Sequence, residues 1–160
     1  MDTEHYLDRP IDYSAAFTRR VADIGEQLSH ALGAPVRHDD DMNYNAGQLL
    51  VAHLDAAGRP TGGETGAAWT VTAAVSSRGP LWALLAARAA AGPRVWVSTG
   101  AAELEDGVGA AAAGVIAEVM AVAGLQRVPD TDLERPAPGH VTEMDGAPAT
   151  VREALFCEVC

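Results

Sequence analysis

Trp69-Thr70-Val71-Thr72-Ala73-Ala74-Val75-Ser76 sets Trp69, Val71, Ala73 and Val75 against Thr70, Thr72, Ala74 and Ser76. This period-two alternation is that of a strand with one buried and one wetter face. Upstream, Gln48-Leu49-Leu50-Val51-Ala52-His53-Leu54-Asp55 suits a second strand, and the segment between them holds Gly58, Gly62, Gly63, Gly66 and Pro60. Two strand-like runs around such a segment predict an antiparallel hairpin with a long loop. That hairpin makes a sheet the frame of the fold.

Working outward, Tyr13, Phe17, Val21, Ile24, Leu28 and Leu32 recur at steps of three or four and lay one apolar stripe along a helix. Asp12 is its expected N-cap, and Gly33 followed by Pro35 its stop. Downstream, Pro80 precedes Leu81-Trp82-Ala83-Leu84-Leu85 and an alanine-rich run to Gly92-Pro93, which predicts a short helix with Pro in its first turn. Arg94 to Ser98 is a third strand. Asp106 is expected to cap a long helix reaching Ala123, closed by Gly124, although Gly107, Gly109 and Gly114 lower its propensity. The polar, proline-punctuated stretch from Pro129 to Pro138 reads as a loop. A strand from His140 to Met144 meets the turn Asp145-Gly146, and Thr150-Val151-Arg152-Glu153 matches a capping box for a closing helix. That helix carries Val151, Ala154, Leu155 and Val159 on one side. The expected fold is α+β: a two-layer sandwich with a mainly antiparallel sheet, a starting hairpin and about four helices, in one domain over residues 1–160. A three-layer α/β arrangement is the alternative, because the second half alternates strand and helix.

The 160 residues hold 11 basic and 22 acidic side chains, a net charge of −11. Every basic residue is Arg, a bias that a GC-rich genome writes. Nucleic acid is disfavoured as a partner because phosphates would be repelled, and an anionic membrane surface for the same reason. The charge is uneven. Residues 1–45 carry four arginines and nine acids, residues 46–100 four and two, and residues 101–160 three and eleven. From Gly107 to Leu125 the only charge is Glu118, and Ala and Gly outnumber Leu and Ile. That composition suits a deeply buried helix or a dimer seam better than a membrane span. The opening Met1-Asp2-Thr3-Glu4-His5 is acidic where a secretory signal needs basic then apolar residues, so a cytoplasmic location is expected.

Four features bear on chemistry. His38-Asp39-Asp40-Asp41-Met42-Asn43-Tyr44-Asn45 offers Asp39, Asp40 and Asp41 as hard oxygen ligands. An EF-hand register fails, since its sixth and twelfth positions fall on Tyr44 and Leu50. A looser Ca²⁺ or Mg²⁺ site and a solvated acidic loop remain the two readings. Cys157 and Cys160 form a CxxC after a helix, where the dipole and Glu158 raise thiol pKa values, so a buried apolar Cys157 is expected over a redox pair. A four-thiolate zinc site shared across a dimer is the alternative. His5, His30, His38, His53 and His140 show no zinc-hydrolase spacing, and neither a nucleophile elbow nor a phosphate loop is present, so no cofactor is expected. Finally, Ser76-Ser77-Arg78-Gly79-Pro80-Leu81-Trp82 follows a strand and precedes the expected helix. Ser77, Arg78 and Trp82 there would form an anion site at a helix N-terminus.

Two functional readings follow. The first is a non-enzymatic acidic interaction protein, an immunity- or antitoxin-type inhibitor or a partner-specific chaperone, which binds a basic protein partner, with a self-assembling homodimer joined through the Ala/Gly-rich helix as a separate alternative. The second is a small-molecule or anion-binding domain, enzymatic or not, with Arg78 and the rings of Trp69, Trp82 and Trp96 lining a pocket.

Overall fold

The hairpin is the centre of the sheet. In the computed structural model, which describes residues 1–90, 95–142 and 145–158, β2 (Gly47–Leu54) pairs antiparallel with β3 (Trp69–Ser76), Leu54 lying opposite Trp69 and Gly47 opposite Ser76. β1 (Arg37–Asp39) adds to the outer edge of β2. β4 (Leu81–Ala89) pairs with the far side of β3, and β5 (Trp96–Thr99) with the second half of β4. The two-residue β6 (Gln126–Arg127) runs parallel to the start of β4. The order β1-β2-β3-β4-β5 is antiparallel throughout, so the fold is α+β with a mainly antiparallel sheet.

β4 replaces the helix expected after Pro80. Its seven residues before Arg88, none of them charged, carry no period-two signal because both faces of the strand are covered: Trp82, Leu84 and Ala86 join one core cluster, and Leu81 and Ala83 the other. A strand buried on both faces reads as a continuous apolar run. Pairing along both of its edges outweighs the helical preference of its alanines.

The first cluster lies between the sheet and two helices. α2 (Ala15–Leu32) presents Phe17, Val21, Ile24 and Leu28 to Leu50, Val71, Ala73 and Val75, each burial contributing about 1.5–3 kcal/mol. Ser14, not Asp12, is the N-cap: its hydroxyl accepts from the Phe17 N–H at 3.2 Å, while Asp12 Oδ1 accepts from the Ser14 N–H at 2.9 Å. Gly33 ends the helix with φ 68°. α4 (Ala110–Val122) lies beside α2 and buries Ala112, Ala113, Ile116 and Met120. The long helix expected from Asp106 to Ala123 begins later, at Ala110, and Asp106 closes a separate short helix before it. α3 (Ala101–Glu105) ends at Asp106, and α4 starts after Gly109, where a Cβ would stand 2.2 Å from Leu104 Cδ1. α4 is buried on one face only, with Val122 80% exposed. No helix among the described residues is long and apolar enough to cross a membrane.

The second cluster covers the other face of the sheet at the β3–β4 turn. It joins Ala74, Leu81 and Ala83 to α1 (Glu4–Leu7), α5 (Asp130–Leu133) and α6 (Val151–Leu155). The expected wetter face of β3 is therefore wet at one end only: Thr70 and Thr72 are partly exposed, Ala74 and Ser76 buried. The predicted loop from Pro129 to Pro138 contains α5 and the start of β7 (Pro136–Val141), which pairs with β8 (Pro148–Thr150). The expected strand from His140 thus begins earlier, and its last residues, Glu143 and Met144, lie outside the described residues, as do Arg94 and Val159.

Candidate interaction site

Where β2, the β3–β4 turn and α6 converge, the chain forms a small cleft of about 60 Å³. Arg78 lies in its wall, held by backbone on three sides. Its Nε donates to the Ala154 carbonyl at 2.8 Å, and its Nη1 to the carbonyls of Leu7, at 3.3 Å, and Arg9. Burial lowers its pKa, and Tyr13 and Asp8 oppose the shift. The turn itself is fixed by Ser76 Oγ, which accepts from the Arg78 N–H at 3.1 Å, and by Ser77 Oγ, which donates to the Ala46 carbonyl at 2.6 Å. Because β4 follows, Ser77 and Arg78 sit in a hairpin turn and not at a helix N-terminus; no helix dipole contributes there.

Tyr13 and Tyr44, 67% and 57% exposed, line the cleft together with Met42, Asn45, His140, Glu153 and Glu158. Tyr13 precedes the N-cap Ser14 and so lies off the buried stripe of α2. Tyr44 projects from the loop between β1 and β2, which is stiffened by its own acids. Asp39 Oδ1 accepts from the Asp41 N–H at 3.1 Å, and Asp41 Oδ1 from the Asn43 N–H at 3.0 Å. Beneath the loop, the buried Gln48 donates to Thr18 Oγ1 at 2.8 Å and accepts from His38 Nε2 at 2.7 Å. Asn45 Oδ1 accepts from the Glu158 N–H at 3.1 Å and ties the loop to the chain beyond α6. An acidic loop and two aromatic rings thus share one fixed surface.

The chain matches no family model, and no curated protein or solved structure is similar to it.

The structure brings some of the sequence-predicted residues together and separates others. Arg78 lines the cleft, Ser77 supports it from behind, and Asp39, Asp40 and Asp41 lead into the segment that carries Tyr44. Among the described residues no group of three or more His, Cys, Asp or Glu could hold a metal. Trp82 is 2% exposed inside the first cluster, beneath the Arg127 guanidinium at 5.6 Å from the ring centroid. Trp69 is buried in that cluster too, whereas Trp96 donates from Nε1 to Glu64 at 3.1 Å, so the three indoles line no common pocket. Cys157 is fully buried and disulfide-bonded, unlike the thiolate that a zinc site uses; Cys160 lies outside the described residues.

Sequence reasoning missed the tyrosines. Tyr13 fits the helical stripe by spacing, and only the capping serine after it signals that the helix begins later. Nothing local marks Tyr44 or His140 as neighbours of Arg78, because strand pairing and the hairpin β7–β8 bring them there.

Proposed function

We propose that this protein is a non-enzymatic interaction module of the inhibitor or partner-chaperone class. Its docking surface is the rim of Tyr13 and Tyr44 with the adjoining Asp39–Asp41 loop, and its partner presents a basic segment. The observation that carries this reading is the pair of exposed tyrosines on one cleft. Exposed Tyr supplies large contact area at low entropic cost and is enriched where protein partners bind. The cleft, about 60 Å³, suits the tip of one side chain and is too small for a cofactor. The acids of its lining, Glu153 and Glu158, favour a cation as that tip, and the acidic loop Asp39–Asp41 speeds encounter with a basic partner.

The test is affinity capture on the immobilised full chain at low and high salt, in parallel with a Tyr13→Ala/Tyr44→Ala variant. A partner held by the wild type, released by salt and lost in the variant is expected. Equal capture by the variant would remove the tyrosine rim from the proposal.

A second reading, a small-anion site at Arg78, is supported by the absence of any carboxylate ion pair to its guanidinium among the described residues. Titration with inorganic phosphate decides it: a rise in melting temperature with phosphate is expected of this reading, and a flat response sinks it.

A further inference from the structure

The two edges of the sheet are built differently. β1, at one edge, is Arg37-His38-Asp39, with charge at both ends, the usual guard against pairing with another chain. β5, at the other, is Trp96-Val97-Ser98-Thr99, with neither charge nor proline, and Val95 and Val97 are 51% and 46% exposed. No described strand pairs with the outer side of β5. We propose that this edge is the seam of a homodimer in which β5 pairs antiparallel with β5 of a second copy, Val97 lying opposite Val97.

The backbone selects that register. The Ala90 N–H donates to the Val95 carbonyl at 2.7 Å, and Arg88 lies opposite Val97. Along an antiparallel ladder hydrogen-bonding pairs alternate, so Val95, Val97 and Thr99 turn their N–H and C=O groups toward β4. Trp96 and Ser98 turn theirs outward. A second copy centred on Val97 sets Trp96 against Ser98 and Ser98 against Trp96, which pairs every outward group. The same register closes Val97 on Val97 and Val95 on Thr99, side chains that share a face. A shift of one residue would put opposite faces together.

Charge singles out the second copy as occupant. In a chain of −11, β5 itself carries no charge, and beside it Glu103 is offset by Arg88 at 3.5 Å while Glu64 is held by Trp96 Nε1 at 3.1 Å, so two acidic copies meet there with little repulsion. The outer face of α4, where the sequence suggested a dimer seam, carries Glu118 instead.

Sedimentation velocity of the full chain over a range of concentrations is the test. The wild type is expected to approach twice the mass of one chain, and Val97→Lys and Val97→Glu are each expected to sediment as monomers with unchanged far-UV circular dichroism. Mixed one to one, the two variants should recover the dimer, because Lys and Glu would then lie directly opposite. Val122→Lys on α4 should leave the dimer intact. A wild type that stays monomeric, including one that binds only a foreign strand, overturns the proposal. So does a dimer that survives both Val97 variants or is lost in Val122→Lys, and a mixture that stays monomeric overturns the register.

Discussion

Arg78 and Ala154 are joined by a hydrogen bond of 2.8 Å from the guanidinium Nε to the backbone carbonyl, which ties the β3–β4 turn to the last helix. The same side chain reaches the carbonyls of Leu7 and Arg9, so one residue gathers the N-terminal segment, the turn and α6. Arg78→Met keeps much of the stem's packing and strands those acceptors, and a loss of about 2–3 kcal/mol in unfolding free energy is expected. Arg78→Lys, a point charge without the fork, should recover less than half. Urea denaturation of the three proteins measures both. A neutral Arg78→Met would show that the three contacts do not hold these segments together.

The closing helix has the capping box its sequence announces. Thr150 Oγ1 accepts from the Glu153 N–H at 3.3 Å, and Glu153 Oε1 accepts from the Thr150 N–H at 3.1 Å. Since α6 is only Val151–Leu155, this cap is a large part of its local stability. Thr150→Ala is expected to cost about 1 kcal/mol, and Thr150→Ser close to nothing, read from the midpoint of chemical unfolding. A cost for Ser equal to that for Ala would point to the lost methyl and not to the cap.

These two examples divide what local sequence reveals from what it does not. The capping box, the stripe of α2 and the hairpin of β2 and β3 are encoded within a few residues, by hydrogen-bonding reach or by period, and each is legible. β4 is not. Buried on both faces, it has no period, and its strand identity comes from β3 and β5 beside it. The misassigned helix took away the helix N-terminus on which the anion reading of Ser77 and Arg78 partly leaned, and left the Arg78 guanidinium alone to support it. The cleft was half legible for the same reason: Arg78 stands out by composition, whereas Tyr13, Tyr44 and His140 reach it only through tertiary pairing.

Two glycines with the same backbone sign differ in surroundings, which separates conformational cost from steric cost. Gly33 has φ +68° with nothing within 4 Å of an added Cβ. Gly58 has φ +79°, and its added Cβ would lie 1.9 Å from the Val108 carbonyl oxygen. Gly33→Ala should cost about 1 kcal/mol for the left-handed conformation alone. Gly58→Ala must also push the hairpin loop off the α3–α4 turn, and a loss above about 2 kcal/mol is expected. Thermal unfolding of both variants gives the ranking; equal losses would refute the contact between that loop and that turn.

Glu105 and Arg127 form a two-pronged pair, Nη1 donating to Oε2 at 3.0 Å and Nη2 to Oε1, with Arg127 Nε buried and without a hydrogen-bond partner among the described residues. The hydrogen bonds from Arg127 hold the Glu105 pKa below its ordinary 4.5, against the opposing effect of burial. A folded-state pKa that is depressed means that the carboxylate's contribution is complete above the unfolded value and fades as pH falls through the folded one. Stability of the wild type should therefore fall on acidification below about 4.5, and Glu105→Gln should remove part of that slope while lowering stability at pH 7. The loss at neutral pH is expected to be about 1–2 kcal/mol, because the variant leaves a half-buried guanidinium over Trp82 without its hydrogen-bonded carboxylate and with only the weaker pull of Asp130. Unfolding free energies between pH 3 and 7 for the two proteins decide the matter. Parallel curves would mean that Glu105 titrates alike in the folded and unfolded chain, and that the pair adds nothing to the pH dependence of the fold.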